Sequence, residues 1–452
     1  MKKLSLFLII SKLAFAQTIS FEEALNQTIE NSKDLQKQKI NIDIAKANSD
    51  FIDGLNFGKV SLNSDISRTN HSGYVFMGKL SSREATFRDF GFIENTGNLN
   101  DIDIAPKDLN YPEAYTSINS YISYDLPLFT GFALYHQKGI LKLQEKANEI
   151  LYNLDKKTLE FEVLKAYNNA VLAKDFVKTM QKAKDTIGFI KNGAKEFHKN
   201  GLVTKIDVNE AELYFLNTNS NLIEAENNFK LSLAYLKFLT SNENISDVEN
   251  LQNTYLEIKE FEDLYKIALK NRDEITLQNI SIEANNKNIK ANQGSYYPSV
   301  FTHLEYGYND DKFSTSKDKD YYMALLGISL TLFDGTRSAN LEKSRLEYLK
   351  AKLDFEKLQD GIKLEVQKAI LDYKAKQEIL KEKILASELA SSVLNQAKLQ
   401  YKNRLISMTT LLSQETNYRQ SQTMLLNAKY ENSLALARLN LVLGQNLQKD
   451  YK

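Results

Sequence analysis

An α+β membrane protein built from two internal repeats, each a strand pair followed by a long helical hairpin, is predicted by three observations. The heptapeptide LPLFTGF at 126–132 returns as LTLFDGT at 330–336, 204 positions on. Short windows alternate apolar and polar residues with a period of two, while elsewhere apolar residues recur at helical spacings. The prolines, Pro106, Pro112, Pro127 and Pro298, all lie in or beside the alternating windows. An interior proline costs ~3 kcal/mol in a helix, so the long proline-free stretches from Leu134 to Gly294 and from Ser299 onward read as helical.

The repeat keeps its register. Leu222, Ala225, Phe229, Ser232, Leu236 and Leu239 are matched 203 positions later by Leu425, Ala428, Asn432, Ala435, Leu439 and Val442. FEEALNQTIENSKDL (21–35) aligns with FEDLYKIALKNRDEI (261–275) at an offset of 240, so the first copy carries an excess of 36 residues between 67 and 118. That segment is rich in Gly, Asn and Asp with two prolines, and is expected to be a long loop.

Four strands are expected, at about 57–68, 117–129, 296–309 and 320–333. Ile118, Ser120, Ile122, Tyr124, Leu126 and Leu128 share one face, and Tyr322, Ala324, Leu326, Ile328, Leu330 and Leu332 hold the same phase in the second copy. Strands of about 9–11 residues suit a tilted bilayer crossing. Four of them cannot close a barrel, and a bilayer tolerates no open edge, so copies of the chain must share one. Eight strands would be filled by side chains; twelve leave a pore, which predicts a homotrimer with a 12-stranded transmembrane β-barrel. Each outgoing strand turns into a helix at Phe129–Gly131 and Phe333–Gly335, the glycines permitting the bend. A helix from 133 to 199 would be ~100 Å long at 1.5 Å per residue. It reverses at KNGLVT (199–204), where Gly201 suits a C-terminal cap and Thr204 an N-cap with Asp207 at the third helical position. KNRLIS (402–407) keeps the cap in Ser407 and replaces the glycine with Arg404.

Composition narrows the function. Lys+Arg and Asp+Glu are both 58, which offers nucleic acid no bulk attraction. Cysteine is absent, and the four histidines lack ligand spacing, so no metal, cofactor or thiol chemistry is expected. No catalytic motif appears and an enzyme is not expected. MKKLSLFLIISKLAFA has signal-peptide grammar, with Ala14-Phe15-Ala16 before the cleavage point.

FEEALNQTIENS, the two LxLFxG joints, FHKNGLVTKIDVNEAE (197–212) and QYKNRLISMTTLLSQE (400–415), in this order, resemble the TolC-like outer membrane factors, and the resemblance covers residues 17–445. It implies an outer-membrane barrel set in lipid and continuous with a long periplasmic α-helical coiled-coil barrel, an inner-membrane pump driven by protons or ATP, and a periplasmic adaptor docking at the hairpin tips. The docking residues would be Gly201, Leu202, Val203 and Thr204, with Leu405, Ile406 and Ser407. The periplasmic constriction would involve Asp207 and Tyr401, and two further family aspartates fall here on Thr410 and Ser413. The resulting organisation is a signal peptide at 1–16, a first repeat at 17–240 (loop 69–116, hairpin 133–240), an equatorial linker at 241–260, a second repeat at 261–445 (hairpin 336–445) and a tail at 446–452. Multidrug or solute efflux is the favoured export function and type I protein secretion the alternative. A periplasmic adaptor or a coiled-coil scaffold would explain helices but not four strands in matched phase.

Overall fold

Alternating apolar and polar residues form strands, and long proline-free stretches form helices, in a computed structural model that describes residues 17–250 and 260–445. The predicted signal peptide, residues 251–259 of the linker and the tail lie outside the described residues. In chain order the elements are β1 (Gln17–Ile19), α1 (Phe21–Asn31), α2 (Lys33–Leu55), β2 (Lys59–Thr69), α3 (Ser72–Ser81), α4 (Lys107–Asn110), β3 (Tyr115–Thr130), α5 (Ala133–Lys199), α6 (Lys205–Thr240), β4 (Ile245–Val248), α7 (Phe261–Asn271), α8 (Asp273–Gln293), β5 (Ser299–Asp310), β6 (Asp320–Ser329), α9 (Arg337–Lys402) and α10 (Met408–Val442). The described residues fall into two compact units: a sheet unit within 43–146 and 280–352, and a helical unit made of the rest.

In the sheet unit the order is β2-β3-β5-β6, antiparallel throughout. Leu62, Ile122, Tyr306 and Tyr322 line up across the four strands, and Val60, Tyr124, Leu304 and Ala324 form the next row but one. Rows two apart share a face, so these residues make one apolar face, and most of their side chains are exposed. The opposite face carries a polar network on β3, β5 and β6, beside the exposed Phe301, Met323 and Leu325. There His303 Nδ1 meets Asp125 at 2.6 Å and His303 Nε2 meets Glu305 at 3.2 Å, while the Tyr321 hydroxyl donates to Glu305 and lies 2.9 Å from Asn119.

The sheet unit corrects three expectations. The segment after β2 is folded: α3 packs Val75 inside it, Phe76 meets Phe90 at 5.1 Å, and Lys79 pairs with Asp89. Arg83 donates to the carbonyls of Asp318 and Asp320, and Lys319 pairs with Glu84, so this segment is tied to the β5–β6 connection. Second, β6 stops at Ser329 rather than near 333, because its partner begins at Ser299 and the preceding Pro298 has no N–H to extend the ladder. Leu332 and Phe333 are left 88% exposed. Third, only one joint uses its glycine as expected. Gly131 has φ +62, and a Cβ there would lie 2.2 Å from the Gly294 carbonyl oxygen. Gly335 has no positive φ; the bend before α9 is made by Asp334, whose side chain accepts the Thr336 N–H and hydroxyl at 2.8 Å.

In the helical unit a short parallel pair, β1 with β4, joins α1, α5, α6 and one residue of α10 in an apolar cluster around Leu25, Leu164, Tyr167 and Leu236. A second cluster joins α7, α9 and α10 around Ile362, Tyr373 and Leu439. Between α7 and α8 the chain breaks at Arg272, whose side chain is 12% exposed and clamped by Glu274 at 2.6 Å and Glu365 at 2.5 Å. Burial works against the Arg272 charge, but the two carboxylates outweigh it and hold its pKa above the ordinary value. Burial would raise the Glu274 pKa; the Arg272 hydrogen bond prevails and lowers it.

Two expectations follow from this packing. Gly131→Ala should destabilise the joint by at least ~1–2 kcal/mol from the left-handed backbone alone, before the clash with Gly294. Gly335→Ala should be neutral in the same thermal-unfolding assay; equal effects would contradict the asymmetry. The Arg272 clamp should weaken in acid. A carboxylate with a depressed folded pKa contributes stability above its unfolded pKa and loses it as pH falls through the folded value. Arg272→Met should therefore flatten the acid limb of the stability profile, and an unchanged limb would mean the clamp is not its source.

Candidate functional site

The two hairpin turns are the same backbone device with different side chains. In the first, the Leu202 N–H donates to the Phe197 carbonyl at 2.8 Å and the Gly201 N–H to that of His198 at 2.9 Å, satisfying carbonyls that a helix end leaves free. In the second, Leu405 and Arg404 donate to Gln400 and Tyr401, both at 2.9 Å. Gly201 has φ +68 and Arg404 φ +64, so an arginine occupies the left-handed position that glycine occupies in the first turn. Its retention follows from the chain reversal, which demands that conformation whatever the residue.

The start of each returning helix differs in charge. Thr204 Oγ1 accepts the Asp207 N–H at 3.3 Å, and the Asp207 carboxylate accepts the Thr204 N–H and hydroxyl at 2.8 and 2.7 Å. This is a closed capping box, with a negative charge at the positive end of α6. Ser407 accepts the Thr410 N–H at 3.1 Å and shares a 2.9 Å hydrogen bond with its hydroxyl, so the α10 cap is neutral. Thr410 is therefore engaged in the cap, and Ser413 stands exposed one turn further on.

These residues come together because the hairpins pack on one another. Ile187, Ile190 and Ala194 of α5, Val208 and Ala211 of α6, Leu394 and Ala397 of α9, and Met408, Leu411 and Leu412 of α10 form one buried cluster. Ile406 and Tyr401 border it, and Phe197 lies 6.2 Å from the Tyr401 ring. The Thr409 hydroxyl crosses from α10 to Glu210 of α6 at 2.9 Å. Leu202 and Leu405 project outward, and the His198 ring donates to the Val203 carbonyl at 3.0 Å. Tyr401 and Asp207 are close enough to interact electrostatically: burial raises the tyrosine pKa, and the Asp207 charge raises it further. The tyrosine hydroxyl is buried without a hydrogen-bond partner. Phe129, Gly131, Phe333 and Gly335 belong to the sheet unit instead.

Two features of the tips were not read from the sequence. Lys191 lies 3.5 Å from the centre of the Phe215 ring and pairs with Glu212, which also binds Lys195 at 2.9 Å. Glu415 is buried on the stripe Met408, Leu411, Leu412, a spacing that reserves its position for an apolar residue and so carried a signal. Among the described residues, one carboxylate group is compact enough for a metal, Glu84 with Asp310 and Asp311; the Lys319 ammonium already sits in it, pairing with Glu84 at 2.7 Å and Asp310 at 3.4 Å.

Residues 264–445 match the family described as outer membrane efflux protein. No curated protein matches the chain in sequence. Its fold is similar to that of CusC, with a TM-score of 0.78 at 14% identity over 95% of this chain and 93% of that one. It is also similar to the CmeC outer membrane channel of Campylobacter jejuni (0.75, 15%, 94% and 85%) and to the outer membrane protein VceC of Vibrio cholerae (0.74, 14%, 94% and 96%). The family's members are channels rather than enzymes. Residues 264–445 therefore match the outer membrane efflux protein family, within a chain whose fold is similar over nearly all its length to those of CusC, CmeC and VceC.

Proposed function

We propose that the chain is the outer-membrane channel-tunnel of a tripartite export system. Three copies close a 12-stranded barrel in outer-membrane lipid, with the helical hairpins forming a periplasmic coiled-coil barrel, and solutes pass through it from an inner-membrane pump and a periplasmic adaptor. The observation that carries this reading is the sheet: four strands with one exposed apolar face, a polar network on the other, and outer strands β2 and β6 that lack a second neighbour among the described residues. A soluble scaffold would gain nothing from displaying that face to water, whereas in a closed barrel lipid covers it and the polar network of His303, Asp125, Glu305 and Tyr321 faces the lumen. The likeness to channels such as CmeC supports solute efflux over the adaptor reading.

Detergent-solubilised protein is expected to be trimeric by native mass spectrometry, and a stable folded monomer would contradict the barrel. The tip residues Gly201, Leu202, Val203, Thr204, Leu405, Ile406 and Ser407 form the adaptor-docking surface in this reading. Space is open around Gly201, with nothing within 4 Å of an added Cβ, but its φ is left-handed. Gly201→Trp should thus leave membrane-inserted trimers while abolishing export; normal export would remove the first tip from the docking surface.

The constriction is proposed at Asp207 and Tyr401, with Thr410 and Ser413 in place of further acids. Three copies of Asp207 around the axis make one acidic ring, which predicts modest cation selectivity in planar bilayers. Asp207→Asn keeps an oxygen that can accept the Thr204 hydrogen bonds and removes the charge, so selectivity should fall while helix capping largely survives. Asp207→Ala should lose both. An unchanged reversal potential in the Asn variant would assign Asp207 to capping alone.

A further inference from the structure

The second hairpin contains an acid that the proposed channel leaves without a task. Glu415 lies one turn beyond Leu411 and Leu412 on the buried stripe of α10 and is 1% exposed. Neither of its carboxylate oxygens has a hydrogen-bond partner, and the Nε of Arg419, one turn on, stops 3.9 Å away. The first hairpin has the same residue type 203 positions earlier, where Glu212 is paired with Lys195 at 2.9 Å and Lys191 at 3.4 Å. The positions matching those lysines hold Lys398 and Leu394, the latter a buried member of the tip cluster. One of the two cations has become a leucine, and the carboxyl group lies in the core.

The groups around it are accounted for element by element. Arg419 from α10 and Lys398 from α9 act on its charge. Tyr214 of α6, Tyr401 of α9 and Tyr418 of α10 border the same cluster, with Asp207 of α6 acting on Tyr401. Lys191 and Lys195 of α5 are engaged by Glu212 of α6, and the remaining α5 and α6 members of the cluster are apolar. A buried carboxylate without hydrogen bonds is strongly disfavoured against its neutral form. Burial accordingly pushes the Glu415 pKa up, with Arg419 and Lys398 pulling it partway back.

We propose that Glu415 is a proton-operated latch on the second hairpin tip: neutral, it packs in the core and holds α10 against its neighbours; ionised, it leaves the core for water or Lys398, and the tip loosens. For an acid whose folded pKa is raised, the stabilisation is complete below the unfolded pKa and is lost as pH rises through the folded value. Loosening on the alkaline side is therefore expected at the second tip and not at the first, where Glu212 keeps its lysines. That the latch acts on a channel mouth rests on the proposed function; the latch itself does not.

Hydrogen-exchange mass spectrometry on the full-length protein in detergent, from about pH 5 to about pH 8 and corrected for intrinsic exchange, tests this. Protection over 405–420, relative to 202–217, should fall with rising pH by up to about tenfold per unit, the limit for one linked proton. Glu415→Gln should abolish the slope, and Leu394→Lys, which restores the first tip's partner, should flatten it. Equal slopes at the two tips of the wild type, or a slope that both variants leave unchanged, overturn the latch. Should Glu415→Gln fail to fold, Leu394→Lys decides alone. Absence of conductance in bilayers would overturn the channel reading and leave the exchange result standing.

Discussion

The backbone hydrogen bonds at the edges of the four-stranded sheet are the constraint on which the rest of the structure depends. β2 and β6 each have one neighbour within the described residues, and an unpaired edge in hydrocarbon costs several kcal/mol for each stranded N–H or carbonyl. In water the same edges would invite indiscriminate pairing. The proposed trimer removes both problems, since β6 of one copy meets β2 of the next, and it gives the two faces of the sheet separate solvents. In that trimer Leu62, Ile122, Tyr306 and Tyr322 would lie against lipid, and Asp125, His303 and Glu305 would face a hydrated lumen.

The two hairpins show how duplicated parts diverge when backbone geometry is fixed and side-chain chemistry is free. Both turns use the same pair of hydrogen bonds and the same left-handed residue, although one supplies glycine and the other Arg404. Both returning helices are capped by a hydroxyl, yet one cap is acidic and the other neutral. The joints diverge in the opposite sense. The sequence motif is kept, but the Gly131 backbone lies against Gly294 whereas the bend at Gly335 rests on an aspartate turn. Similar words in the sequence therefore do different local jobs.

What was legible in the sequence was local or periodic. The strands could be read because each has a single apolar face, and the Thr204–Asp207 box could be read because its partners are three residues apart. The β1–β4 pair could not, since three and four residues carry no period and their partners are more than two hundred positions apart. α3 was hidden by Gly73 and Gly78 within it, and it packs on Phe90 and Asp89, outside the helix itself. The breaks between α1 and α2 and between α7 and α8 carry neither glycine nor proline; the second is held by Glu365, almost a hundred residues away. At the tips, the isolation of Glu415 depends on Leu394 of the neighbouring helix, which no window along α10 contains.

Two carboxylic acids in the helical unit respond to protons in opposite directions, and this follows from their partners rather than from their burial. Glu274 and Glu415 both lose water on folding. Glu274 recovers the loss through a guanidinium at 2.6 Å, so its charged form is the stable one and acid undoes it. Glu415 meets its nearest cation at 3.9 Å without a hydrogen bond, so burial prevails and holds its pKa above the ordinary carboxylate value. Because the Arg272 clamp and the second tip are separate clusters, each can give way while the other holds.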